Sequence, residues 1–201
     1  MQRDGAGGGA PAPVIEWLMP DTTKPNTFLQ RLIGAAALDV AIYEEVESDS
    51  SATAQATAVV ILASVAAGIG VQSFTETNVT IILIATVGAL LGWALWAVIT
   101  LQIGTRILPG AQTQADLGQL LRTLGFASTP GLLRVLGVLP GVAMPVNAVT
   151  SIWMLASMVV AVRQALDYQS TGRAIAVCLL GWVIFLLVYL VIGGIFAPGV
   201  Q

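Results

Sequence analysis

Long runs of apolar residues, separated by short polar segments, are the dominant pattern in this chain. Four stretches contain no acidic or basic side chain: 50–75, 77–105, 135–162 and 174–201. A transmembrane helix needs about 20 mainly apolar residues, and each of these stretches contains such a run. The pattern therefore predicts an all-α integral membrane protein.

Turn-forming and capping residues divide these stretches into individual helices. We predict five transmembrane helices, at about 52–72, 79–102, 130–142, 146–162 and 175–196. The third is too short for an ordinary span, so we expect a short helix that is tilted or kinked. The residues around the start of this short helix are Ser128, Thr129, Pro130 and Gly131. The first two are polar capping residues, and they precede a proline at an early helical position.

Two further segments place apolar residues on one face at helical spacing. The first begins at Thr27, before the first span, and the second covers about 117–124, between the second and third spans. This periodicity predicts amphipathic helices that lie at the membrane interface. Residues 1–26 contain a stretch rich in glycine, alanine and proline and predict a flexible segment. The five-helix membrane domain then covers 27–201.

The positions of lysine and arginine orient the predicted spans. One side of the arrangement collects these residues: Arg3, Lys24, Arg31, Arg106, Arg122, Arg163 and Arg173. The loops at 73–78 and 139–147 and the residues after 196 contain none. The positive-inside rule therefore places the N-terminus and both amphipathic helices inside, in the cytoplasm, and the C-terminus outside. Arg134 lies within the third helix, and we expect its side chain to snorkel back to the cytoplasmic side.

Composition limits the chemistry that this chain can perform. Of its 201 residues 56% are hydrophobic and 9% are charged, and the formal net charge is -3. The balance is far from the roughly 25% charged residues of a soluble domain, and it offers no basic patch for nucleic acid. Histidine is absent, and the single cysteine, Cys178, lies among apolar neighbours. Common zinc sites and Cys/His nucleophiles are therefore excluded, and we predict a non-enzymatic protein without cofactor or metal.

An acidic group comes directly before the first span, beside Tyr43. It consists of Glu44, Glu45, Glu47 and Asp49. Three interpretations fit these carboxylates: they bind a divalent cation, they form a docking surface for a partner together with Tyr43, or they pair with arginines of the same side. The arginine candidates are Arg106, Arg122, Arg163 and Arg173.

Small residues indicate where helices approach each other closely. Gly88 and Gly92 form a small-xxx-small pattern in the second span, which permits close helix contact in lipid. Ala63 and Ala67 are the matching candidates in the first span. We therefore predict that these four residues pack the first two spans as a hairpin or bind a partner helix.

A charged rim is predicted on the cytoplasmic side between the fourth and fifth spans. It contains Arg163, Asp167 and Arg173. Arg163 and Asp167 have the i, i+4 spacing of a helical ion pair, which contributes only a few tenths of a kcal/mol when exposed.

Arg134 is the most distinctive single residue. A charged group in a short, proline-led helix is typical of a substrate path in a transporter. The other interpretation is a membrane anchor, whose charge reaches the interface along an apolar stem.

Several segments of this arrangement resemble the Yip (Ypt-interacting protein) family of five-span membrane proteins, in its bacterial branch. The resemblance is carried by residues 37–47, 124–131, Trp153, 163–167 and 170–174. It implies a five-helix domain with a cytoplasmic N-terminus. In eukaryotes it implies partnership with Rab-type GTPases and roles in vesicle traffic or membrane shaping.

The sequence thus predicts a non-enzymatic membrane scaffold or accessory subunit that binds a protein partner, organises the membrane, or does both. The partners expected are membrane lipid and either another protein or a second copy of the chain, with no nucleic acid. The alternative function is a small-solute or ion transporter that uses the short third helix around Arg134. We expect the protein in a bacterial inner membrane.

Overall fold

The structure is a computed structural model that describes residues 25–71 and 78–196. Within these ranges every regular element is helical, which confirms the all-α class. The elements are α1 (Phe28–Ala36), α2 (Val40–Ser48), α3 (Ala52–Gly70), α4 (Val79–Gln102), a π-helical turn (Ile103–Ile107), α5 (Leu117–Phe126), a 3-10 helix (Thr129–Val138), α6 (Ala143–Ala165) and α7 (Thr171–Phe196). Most of the predicted flexible segment 1–26, most of the loop 73–78 and the tail after 196 lie outside the described residues.

Four helices are long and apolar enough to cross a membrane. They are α3, α4 together with the π-helical turn, α6, and the part of α7 from Thr171 to Val188. Each lies where the sequence predicts a span, with ends that agree within a few residues. Large apolar side chains on their outer faces are exposed in the isolated chain, among them Leu83, Leu91 and Ile152. In a bilayer such side chains keep an apolar environment.

The short third helix of the prediction is a 3-10 helix of ten residues. Pro130 lies in its first turn, where a missing N–H leaves no hydrogen bond unmade. With a rise of about 2.0 Å per residue, this helix covers about 20 Å, which is less than the roughly 30 Å hydrocarbon core of a bilayer. It packs between α3 and α6.

A seam of small residues joins α3 to the chain segment that contains the 3-10 helix. Its members are Ala56, Ala63 and Gly70 on α3, and Gly125, Gly131 and Gly137 on the other side. A Cβ atom built on Gly125 would lie 2.7 Å from the Cβ of Ala56, and one on Gly137 would lie 2.7 Å from the carbonyl oxygen of Gly70. Real Cβ atoms do not approach so closely, so this seam requires glycine.

Helices α1, α2 and α5 pack at one end of the bundle, and we call this group the polar cap. Helix α1 begins after Thr27, as predicted. Thr27 forms a capping box with Gln30, and Asp116 begins α5 in the same way. Leu38, with φ of 62°, reverses the chain between α1 and α2, and Asp39 then caps α2. These local features produce two short helices before α3 and place them against α5 and α6.

Candidate functional site

A buried arginine organises the polar cap. Arg31 lies on α1, and only 3% of its side chain is exposed. Its guanidinium donates to the carboxylate of Glu45 at 2.8 and 3.0 Å, to that of Asp49 at 2.7 Å, and to the side-chain oxygen of Gln55 at 2.9 Å. The planar guanidinium fits several such charge-assisted bonds at once. Arg31 therefore ties the end of α2 and the start of α3 to α1.

The same bonds set the protonation of this cluster. Burial would raise the pKa of Glu45, but hydrogen bonds from Asn26 and Arg31 hold it below its usual value. Hydrogen bonds from Ser51 and Arg31 also lower the pKa of Asp49. Burial alone would lower the pKa of Arg31, and its two carboxylate partners raise it overall. Glu45 and Asp49 therefore pair internally, with Arg31 rather than with any of the four arginines predicted.

The remaining members of the predicted partner surface have separate environments. Tyr43 is fully buried, and its hydroxyl donates to a backbone carbonyl of α1 at 3.2 Å, so it contributes nothing to a surface. Glu44 is exposed and accepts a hydrogen bond from Gln164 at 3.0 Å. Glu47 is half-buried and accepts one from Gln119 at 3.0 Å. No group of three or more Asp, Glu, His or Cys within the described ranges is placed to hold a metal ion.

A second buried arginine caps the C-terminal end of α2. Arg122 of α5 is 8% exposed, and its Nε donates to the carbonyl oxygens of Val46 at 2.9 Å and Glu47 at 3.1 Å. A terminal nitrogen donates to the same Glu47 carbonyl. The last carbonyls of a helix lack donors within the helix and carry the negative end of its dipole. Arg122 therefore binds the main chain of α2, whereas the sequence predicts carboxylates as its partners.

Four carboxyl groups from three parts of the chain form an acidic patch at the polar cap. They are Glu44 and Glu47 on α2, Asp116 at the start of α5, and Asp167 after α6. Burial raises the pKa of Glu47 to about 7, and the charges of Asp167, Glu44 and Asp116 add to the effect while that of Arg122 opposes it. The patch is thus a site of net negative charge, and three of its members are exposed.

The predicted charged rim makes different contacts from those expected. Asp167 lies beyond the end of α6 with φ of 50°, off the helix face, and the expected ion pair with Arg163 is not formed. Instead, the Nε of Arg163 donates to the carbonyl oxygen of Tyr168 at 3.2 Å, and the guanidinium of Arg173 lies 5.7 Å from the centre of the Tyr168 ring. The Tyr168 hydroxyl bonds to the carbonyl oxygen of Gly104 in the π-helical turn, at 3.1 Å, and to that of Leu108 just after it, at 2.7 Å. The rim thus connects the α6–α7 link to the π-helical turn.

The four predicted packing residues have different environments. A Cβ atom built on Gly88 or Gly92 would meet no atom within 4 Å, so neither glycine lies at a close helix contact within this chain. Ala63 lies in the seam, against Gly131. Ala67 lines a cavity between the long helices, as does Gly92. The closest helix approach is therefore at the seam and not at the α4 glycines.

The start of the 3-10 helix is bonded back to α5. The hydroxyl of Ser128 donates to a carbonyl of that helix at 3.3 Å, and the hydroxyl of Thr129 donates to another at 2.6 Å. Both hydroxyls thus satisfy carbonyls at a helix end. Pro130 and Gly131 are buried behind them.

Arg134 lies apart from the other described arginines. Its backbone carbonyl lies against Gly70, at the end of α3 farthest from the polar cap. The side chain donates to the hydroxyls of Thr150 at 3.3 Å and Ser151 at 2.9 Å, in the half of α6 away from the cap. The expectation that Arg134 reaches back toward the other arginines is therefore wrong, because its helix carries it to the opposite half. Arg3 and Lys24 lie outside the described residues.

Sequence reasoning did not identify Arg31 as a buried residue. Arg31 lies four positions before Ala35, so the two share a helix face, and Ala35 is fully buried. The apolar residues Leu29 and Ile33 instead point outward, with 64% and 61% of their surfaces exposed. The four-residue spacing of Arg31 and Ala35 was therefore the one hint in the sequence that Arg31 is buried. Periodicity alone, however, does not show which face of a helix packs against the rest of the protein.

The fold and its four apolar helices define a helical integral membrane protein. A family model described as the Yip1 domain matches residues 40–192. Because the match covers well over half of the chain, the protein belongs to the Yip1 domain family, which confirms the resemblance noted in the sequence. Comparison with curated proteins and with solved structures gives no match.

Proposed function

We propose that this protein is a non-enzymatic membrane scaffold or accessory subunit that binds a protein partner at its polar cap. The observation that carries the proposal is the acidic patch of Glu44, Glu47, Asp116 and Asp167. None of these four carboxyl groups forms an ion pair among the described residues, whereas Glu45 and Asp49 share Arg31 as their cation. A partner segment rich in lysine and arginine complements such a surface and is steered toward it.

The arrangement of the spans belongs to the same proposal. The four long helices and the 3-10 helix together form five membrane segments, with the polar cap and its arginines in the cytoplasm of a bacterium. The outward-facing Leu29 and Ile33 on α1 then lie among lipid headgroups and acyl chains, as the apolar face of an interfacial helix does. Membrane organisation by this helix accompanies partner binding.

Affinity capture tests the proposed partner surface. The double variant Glu44→Gln with Asp167→Asn removes two exposed charges while keeping side-chain shape. Asp39→Asn is the matched control, because asparagine still caps α2 and the charge removed lies outside the patch. Tagged proteins are recovered in mild detergent after cross-linking, and bound proteins are quantified by mass spectrometry. We expect one or more basic proteins to be lost from the double variant and retained with the control. Equal recovery from both would remove the patch from the proposal.

Thiol labelling tests the proposed orientation. Single cysteines at Gln114 and Met144, introduced in a Cys178→Ala background, lie at opposite ends of the bundle, and both positions are exposed. On intact cells an impermeant reagent should label Met144→Cys and leave Gln114→Cys protected until the membrane is opened. The reverse pattern would invert the topology.

The transporter alternative gains no support from the described residues. Among the residues that the structure describes, no second charged side chain bonds to Arg134, whose hydrogen-bond partners are the hydroxyls of Thr150 and Ser151. Neither a proton relay nor an ion pathway is formed by these groups.

A further inference from the structure

A large cavity lies among the membrane helices, away from the polar cap. Its volume is about 1030 Å³, which is at the upper end of the roughly 300–1,000 Å³ typical of small-molecule sites. Small and apolar side chains from α3, α4, α6 and α7 form most of its wall. The described chain leaves this space unfilled, whereas protein interiors are normally packed as densely as organic crystals.

The cavity is elongated along the membrane normal. On α4 its lining extends from Ile81, in the first turn, to Trp96, near the polar cap. At 1.5 Å per residue this is about 22 Å, longer than half of the roughly 30 Å hydrocarbon core. An acyl chain from the leaflet opposite the cap therefore fits within it lengthwise.

Arg134 supplies a positive charge to the wall of this cavity. A guanidinium has five N–H donors, of which Arg134 uses two, on Thr150 and Ser151. No carboxylate of the described ranges lies within ion-pair distance of it. Thr150 is seven residues from the start of α6, so the guanidinium lies about 10 Å below that end of the helix. A guanidinium that has no acidic partner among the described residues, at this depth, is suited to bind an anionic group.

We propose that the cavity binds one anionic phospholipid, whose phosphate contacts Arg134 and whose acyl chain fills the space toward Trp96. A phosphate has the oxygens that a guanidinium binds in bidentate fashion. Apart from Ser64 and Ser128, most of the remaining lining, such as Ala85, Ala89 and Phe185, is apolar and suits a hydrocarbon chain. The lipid would restore the packing that the chain itself leaves incomplete. This inference does not depend on the proposed protein partner.

Native mass spectrometry of the full chain tests the proposal. The protein is purified in detergent with equal amounts of phosphatidylglycerol and phosphatidylcholine, and lipids that remain bound are counted. Arg134→Gln removes the charge, and Arg106→Gln is its control, because Arg106 is exposed at the other end of the bundle. Gly92→Leu adds a side chain at the cavity wall, where a Cβ atom meets nothing within 4 Å, and Gly88→Leu makes the same change at an equally open Cβ position outside the lining.

We expect the wild-type protein to retain one phosphatidylglycerol per chain in preference to phosphatidylcholine. Occupancy should fall at least tenfold in Arg134→Gln and in Gly92→Leu, and should be unchanged in both controls. Millimolar inorganic phosphate should not displace the lipid. The proposal is overturned if either test variant keeps the lipid, if free phosphate displaces it, or if the chain instead forms a lipid-free dimer that Gly92→Leu dissociates. Because Gly92→Leu adds its side chain to open space, a folding failure of Arg134→Gln leaves the test intact.

Discussion

The polar cap and seam differ sharply from the cavity side of the bundle. In the cap, Arg31 and Arg122 are buried, and both guanidinium groups donate hydrogen bonds to oxygen acceptors of the chain. On the cavity side, the described partners of Arg134 are hydroxyls, and the buried Nε1 of Trp96 has no acceptor among the described residues. The buried arginines of the cap are thus satisfied by the chain itself. The cavity side has the space and the unsatisfied groups that a bound molecule would fill.

Substitution in the seam should have the largest effect. Gly137→Val forces a branched side chain against the backbone of Gly70, where even a Cβ is too close. We expect a loss of about 3 kcal/mol or more, seen as a large drop in the midpoint of thermal unfolding in detergent. The matched change Gly88→Val meets open space and should alter stability by no more than a helix-propensity difference. Similar midpoints for the two variants would contradict the tight seam.

Breaking the buried ion cluster should have the next largest effect. Arg31→Met keeps the apolar stem but leaves Glu45 and Asp49 without their cation. Because these carboxylates are 22% and 29% exposed, we expect a cost of about 2–3 kcal/mol, below that for a fully buried pair. Arg106→Met removes an exposed charge and should change stability by less than about 0.5 kcal/mol. Thermal unfolding of both variants side by side measures the difference.

The positions of the long helices were predictable, but the differences between the two regions were not. Span length and charge-free stretches locate α3, α4, α6 and α7 because a bilayer demands about 20 apolar residues. The capping box at Thr27 is likewise local. Arg31 meets Glu45 and Asp49 across a reversal at Leu38, and no periodicity reports which side chains such a reversal brings together.

The seam and the cavity illustrate the same limit. Gly88 and Gly92 have the familiar small-xxx-small spacing and yet lie in open space. The seam glycines that face α3 are six residues apart, at 125, 131 and 137, and they lie on or beside a 3-10 helix. A search for small residues at the four-residue spacing of α-helices does not find these glycines. The cavity depends on six helices at once, so no local pattern predicts it.

Glu47 is the exception within the polar cap and has a smaller, pH-dependent effect. Its pKa is raised from 4.5 to about 7 in the folded protein, so the folded state binds a proton there more tightly than the unfolded state. Stability should therefore be greatest below about pH 4.5 as far as this group is concerned, and should fall as the pH rises to about 7. Glu47→Gln should flatten this part of the profile and be more stable than wild type at pH 8.

Two other carboxylates of the cap, Glu45 and Asp49, should give the opposite dependence of stability on pH. The pKa values of Glu45 and Asp49 are lowered by folding, so their contribution is present above their unfolded values and is lost as the pH falls through the folded ones. Unfolding midpoints measured from pH 3 to pH 8 separate the two trends. A wild-type profile that matches Glu47→Gln throughout would contradict the environment assigned to Glu47.

The smallest expected effect comes from comparing two tryptophans, one in the polar cap and one on the cavity side. The Nε1 of Trp153 donates to the carbonyl oxygen of Ala36 in the cap at 2.7 Å, whereas that of Trp96 has no partner among the described residues. Replacement by phenylalanine removes the same atoms in each case. We expect Trp153→Phe to cost about 1 kcal/mol more than Trp96→Phe, the net value of one hydrogen bond. Equal losses would mean that the indole of Trp96 is satisfied after all.

The seam also joins two helices that differ in their rise per residue and in their number of residues per turn. Seven residues of α3 advance about 10.5 Å in nearly two turns, and six residues of a 3-10 helix advance about 12 Å in two turns. The contacts at 63 and 70 therefore match those at 131 and 137 only while α3 and the 3-10 helix each keep their own pitch. One residue inserted between Gly131 and Arg134 would rotate everything after it by about 120°. Gly137 would leave the seam, and the arginine would leave the cavity.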